Sequence, residues 1–141
     1  MEEKDILNVL KIVTKRLTGK GIVWRMEGSA NLLMQGIDVE VNDIDITTGN
    51  TKRSSEFLKE FVVKSFYNKE IKAESCICKI KDNEVEINCY DNKNLNMFEK
   101  IKMIKWHDLS IPILPLIQAK EFYELIGRKE KVDLIIRYLD K

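Results

Sequence analysis

The chain of 141 residues contains few of the residue types that mark specialised classes of protein. It has three cysteines, one histidine and two prolines, and its 24 Lys and Arg residues nearly balance its 23 Asp and Glu residues. An odd cysteine count without a C-x-x-C pair argues against a disulfide framework and against a zinc site, so Cys76, Cys78 and Cys89 are expected to be reduced structural thiols. A net charge of only +1 argues against a broad basic surface for nucleic acid or membrane.

Long apolar runs are also missing. No segment approaches the roughly 18 consecutive apolar residues that a membrane-spanning helix needs. The first residues, MEEKDILNVLKIV, are acidic and amphipathic, unlike the basic stretch and apolar run of an export signal. The sequence therefore predicts a soluble cytoplasmic protein, and its length predicts a single domain over 1–141.

The periodicity of the apolar residues alternates between helical and extended patterns along the chain. We predict an α/β (α+β) fold with a mixed β-sheet flanked by helices and a C-terminal helical pair. The core of this domain is expected at about 22–91 and the helical pair at about 115–139. Helices are predicted over 4–17, 30–35, 51–62, 115–126 and 132–139, strands over 22–26, 41–47, 74–80 and 85–90, and short extended segments between 102 and 115.

The stretch DIDI at 43–46 places two carboxylates in alternation with two isoleucines. In a strand, residues two apart project from the same face, so Asp43 and Asp45 would lie about 6.5–7 Å apart between their Cα atoms. Paired carboxylates of this kind suit a hard cation such as Mg²⁺ or Mn²⁺, bound together with substrate phosphates. By itself, however, such a pair is more often a solvated strand face.

A third carboxylate on a neighbouring strand would complete a site for two metal ions. The segment VEI at 85–87 fits, because Val85 and Ile87 would face the core and turn Glu86 toward the two aspartates. Glu84 and Asp91 remain alternatives, since a strand boundary predicted from sequence can be misplaced by about 2–4 residues.

Gly28 and Ser29 come before a short apolar segment, upstream of the paired aspartates. Glycine permits a close approach of the backbone, and amide groups at a helix start, together with a hydroxyl, favour phosphate. An isolated Gly-Ser pair is usually just the turn before a helix. The order and spacing of this pair, the aspartates and the later glutamate make the combination informative.

These motifs resemble the signature of the nucleotidyltransferase superfamily related to DNA polymerase β, which has a Gly-Gly or Gly-Ser pair, a spacer, and then Asp-h-Asp-h with h apolar. The VEI segment resembles the third carboxylate strand of that superfamily. One departure is Glu27, which stands where the superfamily usually has an apolar residue. The C-terminal segment resembles the helical tail of small aminoglycoside-type and defence-related members, which implies nucleotide-binding roles for Lys120, Arg128 and Lys129.

The resemblance implies an enzyme that moves a nucleoside monophosphate from a triphosphate, expected to be ATP, to a hydroxyl, releasing pyrophosphate. Asp43, Asp45 and Glu86 would hold Mg²⁺ or Mn²⁺ and act in catalysis, while Gly28 and Ser29 would bind the phosphates. The acceptor would be a small molecule or a hydroxyl presented by a partner protein. The alternative is an interaction module of a toxin–antitoxin or defence pair, with or without catalysis.

Overall fold

The computed structural model describes all residues from Met1 to Lys141. None of its helices combines the length and apolar character needed to cross a bilayer. The helices are α1 (Glu3–Leu17), α2 (Gly28–Met34), α3 (Thr51–Phe57), α4 (Lys93–Asn96), α5 (Leu116–Leu125) and α6 (Lys129–Leu139), with 3-10 turns at Lys59–Phe61 and Phe98–Lys100. The strands are β1 (Trp24–Glu27), β2 (Ile44–Thr48), β3 (Val62–Asn68), β4 (Ala73–Ile80), β5 (Asn83–Tyr90), β6 (Lys102–Trp106) and β7 (Leu109–Ile113).

Five strands form the central sheet, in the order β1-β2-β5-β4-β3. Strands β2 and β5 are parallel, and the other neighbouring pairs are antiparallel. The predicted mixed sheet flanked by helices is therefore confirmed. Because β2 and β5 run in the same direction, the residues that begin these two strands lie side by side at one edge of the sheet.

Apolar clusters lie against both faces of the sheet. On one face, α1 and strand β7 pack against Ile44, Ile46, Val85 and Ile87 in a cluster of 20 buried residues. On the other face, a cluster of 11 buried residues joins α2, α5 and α6 to Tyr90 and its surroundings. The second cluster covers only part of its face, and the polar residues of β1, β2 and β5 lie beside it.

Buried polar contacts fix the C-terminal helices relative to the sheet. The guanidinium of Arg25, which is fully buried, donates to the backbone carbonyls of Met26, Leu95 and Asn96 over 2.8–3.0 Å. Its centre lies 5.5 Å from the ring centroid of Phe122 on α5. Since a buried Arg is favourable only when its donors are satisfied, these bonds tie α4 to β1, and the ring contact places Phe122 of α5 against the same guanidinium.

Hydrogen bonds of the Asn31 and Tyr138 side chains hold the C-terminal helical pair against α2. The side chain of Asn31 exchanges two hydrogen bonds of 2.9 Å with the backbone of Leu114, just before α5. The Tyr138 hydroxyl near the end of α6 donates to the Gln35 carbonyl at 3.2 Å. Both α5 and α6 are thereby held next to the residues that follow β1.

The structure corrects several predicted elements. The helix predicted over 51–62 ends at Phe57, and Val62 instead begins β3. The strand predicted over 41–47 begins at Ile44, so Asp43 lies just before it. The short extended segments predicted between 102 and 115 are confirmed as β6 and β7, which pair in a separate two-stranded sheet. Helix α2 begins at Gly28 itself, two residues earlier than predicted.

Candidate active site

Three neighbouring strands place carboxylates side by side on one face of the sheet. Asp45 on β2 is the register partner of Glu27 on β1 and of Glu86 on β5. Neighbouring strands lie about 4.8 Å apart, so the three side chains form a row across the sheet. All three line one cavity of about 370 Å³, here called the carboxylate cavity, with Gly28, Ser29, Glu40, Asn42, Asp43, Phe122, Tyr123, Ile126, Arg128 and Lys131.

Gly28 allows the Asp45 carboxylate to lie directly against the backbone. Its φ angle is +71°, in the left-handed region that favours glycine. A Cβ atom at this position would lie 2.5 Å from Oδ2 of Asp45 and 3.3 Å from its Cγ. The Gly-Ser pair is therefore coupled sterically to the second aspartate of the DIDI segment, a contact that the sequence spacing alone does not show.

A lysine faces the carboxylates from α6. The Nζ atom of Lys131 donates to Oγ of Ser29 at 2.9 Å, and Arg128 also lines the carboxylate cavity. Lys131 is not among the site residues predicted from the sequence. Its position is four residues before the buried Ile135 and seven before the half-buried Tyr138, a helical spacing that turns it toward the protein.

Both lysines that were predicted to bind the nucleotide lie outside the carboxylate cavity. Lys120 makes an ion pair with Glu124 at 3.4 Å on α5, and it does not line the carboxylate cavity. Lys129 lines a different cavity at the turn between α5 and α6. Of the predicted residues Lys120, Arg128 and Lys129, only Arg128 lines the carboxylate cavity. Its Nε donates to Oε1 of Glu130 at 2.6 Å.

Glu27 has defined hydrogen-bond partners. Its Oε1 accepts a bond of 2.6 Å from the Thr47 hydroxyl and one of 2.8 Å from the Tyr90 hydroxyl. Burial and the Glu27 carboxylate raise the pKa of Tyr90, which keeps the phenol protonated as a donor. Where the superfamily usually has an apolar residue, this chain therefore has a carboxylate held in place by two hydroxyls.

The carboxylates strongly perturb one another. Burial, followed by the charges of Glu27, Asp43 and Glu86, raises the pKa of Asp45 to about 8. Burial and nearby acidic charges also raise the pKa of Glu86. No three of the Asp, Glu, His and Cys side chains are close enough together to form a preassembled metal site. The donor set is nevertheless all oxygen and negatively charged, which fits a hard divalent cation.

The raised pKa of Asp45 predicts an unusual pH dependence for the metal-free protein. The folded state binds this proton more tightly than the unfolded state, whose carboxyl has a pKa near 4. The contribution of this proton to the free energy of unfolding is therefore full below about pH 4 and is lost as the pH rises through about 8. We expect the free energy of unfolding in EDTA to fall between about pH 4 and pH 8, as measured by urea denaturation.

Asp45→Asn is the matched variant for this measurement, because it removes the titrating group and keeps the side-chain shape. Its free energy of unfolding should change much less over the same pH interval. An equally steep fall in Asp45→Asn would show that other groups cause the pH dependence.

No protein-family model matches the sequence, and no curated protein matches it significantly. Among solved structures, a candidate nucleotidyltransferase from Thermotoga maritima has 27% identity and a TM-score of 0.79, covering 99% of this chain and 96% of that chain. The chain has the nucleotidyltransferase fold.

More distant structures share this fold. The lincosamide antibiotic adenylyltransferase LnuA, in its lincomycin-bound form, has a TM-score of 0.61 at 10% identity, with 96% of each chain covered. The CCA-adding enzyme of Thermotoga maritima, complexed with tRNA, has a TM-score of 0.52 at 18% identity, with 88% of this chain and 32% of that chain covered. The predicted resemblance to the superfamily is confirmed, and the Thermotoga maritima nucleotidyltransferase structure supports a nucleotidyltransferase enzyme.

Proposed function

We propose that the protein is a metal-dependent nucleotidyltransferase that moves a nucleoside monophosphate from ATP to a hydroxyl of a small acceptor. The observation that carries the proposal is the in-register row of Glu27, Asp45 and Glu86 in a cavity that also contains Asp43 and the Gly28-Ser29 pair. Such a concentration of negative charge beside hydroxyl and cationic groups suits a substrate that brings both phosphates and divalent cations.

Asp43, Asp45 and Glu86 are the residues that would hold Mg²⁺. When bound there, the cation would neutralise phosphate charge and favour in-line displacement at the α-phosphorus. Glu86, at the β5 end of the carboxylate row, would accept the proton of the acceptor hydroxyl. The new bond joins the acceptor oxygen to the α-phosphorus, and the bond to pyrophosphate breaks.

Ser29, Lys131 and Arg128 would bind the phosphates that leave. In the free protein, the ammonium of Lys131 donates to the Ser29 hydroxyl, and both residues line the carboxylate cavity. A triphosphate between α2 and α6 would exchange that single neutral contact for charge-assisted hydrogen bonds, which are stronger. The positive charges of Lys131 and Arg128 would also offset the repulsion between the phosphates and the carboxylates of Glu27 and Glu40.

Small-molecule acceptors are favoured over polymers for this chain. The LnuA structure, which holds the small molecule lincomycin, is covered over 96% of its length. The net charge of +1 also provides little sequence-independent attraction for RNA.

The direct test is pyrophosphate release from ATP by the purified protein, with Mg²⁺ or with EDTA and in the presence of candidate hydroxyl acceptors. We expect release only with Mg²⁺, and a mass increase of the acceptor equal to one AMP group. Nucleotide binding without any release would instead favour the interaction module of a two-protein pair.

We expect Lys131→Met to weaken binding of Mg²⁺ and ATP by about tenfold, which corresponds to the loss of one charge-assisted contact of about 1.4 kcal/mol. Lys129→Met is the matched control, because Lys129 lies on the same helix and lines a different cavity. Calorimetric titration gives both affinities. Equal affinities for the two variants would contradict the assignment of Lys131 to the phosphates.

A further inference from the structure

A second cavity adjoins the carboxylate cavity. Its volume is about 430 Å³, within the range of roughly 300–1,000 Å³ that is usual for small-molecule sites. Ile126 and Arg128, in the turn after α5, line both cavities and form their shared wall. The remaining lining residues are Tyr90 at the end of β5 and the β3–β4 turn residues Glu70, Ile71 and Lys72.

The position of this cavity is tied to the carboxylate row. Tyr90 forms part of its lining, and the Tyr90 hydroxyl donates to Glu27, which lines the carboxylate cavity. This hydrogen bond connects the second cavity to Glu27, the β1 end of the carboxylate row. An acceptor must reach the α-phosphorus from outside the triphosphate, and this cavity offers such an approach.

The side chains around the cavity define the chemistry of its ligand. Ile71 and Ile126 are both exposed, with 36% and 41% of their surface accessible, and they present apolar surface to a ligand. Lys72 and Arg128 provide two positive charges, and Glu70 provides one negative charge. Such a lining accepts an apolar ring or chain and disfavours a polycation.

We propose that this second cavity binds the acceptor, and that the acceptor is a hydroxylated amphiphilic small molecule without net positive charge. The inference rests on the proposed function and extends it to the acceptor. The apolar part of the molecule lies between Ile71 and Ile126, and its hydroxyl points past Arg128 toward the carboxylate row. The hydroxyl oxygen then bonds to the α-phosphorus, its proton passes to Glu86, and pyrophosphate leaves.

The test uses 4-nitrophenyl β-D-glucopyranoside as a neutral probe, and 4-(aminomethyl)phenyl β-D-glucopyranoside as its cationic counterpart. Both are titrated calorimetrically into the full chain with Mg²⁺ and α,β-methylene-ATP, a nucleotide that cannot transfer its AMP group. Ile71→Asp alters a residue that lines only the second cavity, and Met103→Asp is the control, because Met103 on β6 is also exposed and apolar.

We expect the neutral glucoside to bind more tightly than the cationic one, and Ile71→Asp to weaken its binding by about tenfold, because a charge replaces an apolar contact. Met103→Asp should bind like the wild type, and all three proteins should bind the nucleotide equally. Absent glucoside binding, or unchanged binding in Ile71→Asp, with normal nucleotide binding would overturn the acceptor assignment alone. Failure of the wild type to bind the nucleotide would instead overturn the proposed function and, with it, this inference.

Discussion

Asp45→Asn is expected to abolish AMP transfer while leaving the fold intact. The Asp45 carboxylate is central in the row formed with Glu27 and Glu86, and an amide is a much weaker ligand for a hard divalent cation. A loss of about 4 kcal/mol of transition-state stabilisation corresponds to a rate about a thousandfold lower. Pyrophosphate release under saturating Mg²⁺ and ATP measures this loss.

The metal-free stability of the same variant separates a catalytic from a structural role. Removing one of several closely spaced like charges should leave the free energy of unfolding at pH 8 unchanged or higher. Asp38→Asn is the control, because Asp38 is exposed and does not line the carboxylate cavity, and it should retain turnover. A large loss of stability in Asp45→Asn would assign Asp45 a structural role.

Gly28→Ala is expected to lower turnover by about a hundredfold, the effect of displacing a reacting group by about 1 Å. The added Cβ would lie 2.5 Å from Oδ2 of Asp45, so either the backbone or the aspartate must shift. The left-handed φ angle adds a backbone cost of about 1–3 kcal/mol for a residue other than glycine. Steady-state kinetics and urea denaturation report the two effects separately.

Gly19→Ala isolates the backbone contribution of this change. Gly19 has a φ angle of +76°, close to the +71° of Gly28, and an added Cβ there meets no atom within 4 Å. This variant should lose stability to a similar extent and keep its turnover. If Gly28→Ala also kept full turnover, the contact between Gly28 and Asp45 would have no catalytic importance.

Residue alternation was sufficient to predict much of the site. In strands β2 and β5, apolar residues alternate with acidic ones, so the burial of Ile44, Ile46, Val85 and Ile87 fixes the direction of the carboxylates. The choice of Glu86 over Glu84 and Asp91 as the partner of Asp45 agrees with the observed register. Its role in catalysis stays a prediction that transfer assays must test.

Features that depend on tertiary contacts were not predictable in this way. Strand β3 pairs only with β4 at the edge of the sheet, and all of its side chains are exposed or half-buried, so it lacks the alternation of an interior strand. The apolar residues around Phe57 and Val62 instead mimic a helical stripe. For Lys131, the sequence shows a lysine-rich segment, but the contact with Ser29 depends on how α6 docks on α2.

The hydrogen-bond partners of Glu27 also could not be predicted from the sequence. Its charge is unusual for the position before the Gly-Ser pair, and the sequence gives no partner for it. The hydrogen bonds from Thr47 and Tyr90 come from two other strands, and their existence depends on the sheet order β1-β2-β5. Glu27, which departs from the superfamily pattern, is thus hydrogen-bonded by two hydroxyls that come together only in the folded sheet.

The most direct test of the central claim is calorimetric titration of ATP into the protein with Mg²⁺ and, separately, with EDTA. Without a cation, the phosphates would face Glu27, Asp43, Asp45 and Glu86, whose charges repel them. We predict tight binding with Mg²⁺, binding at least about a hundredfold weaker in EDTA, and loss of the Mg²⁺ effect in Asp45→Asn. Equal ATP affinity with Mg²⁺ and with EDTA would contradict metal-dependent nucleotidyl transfer at this site.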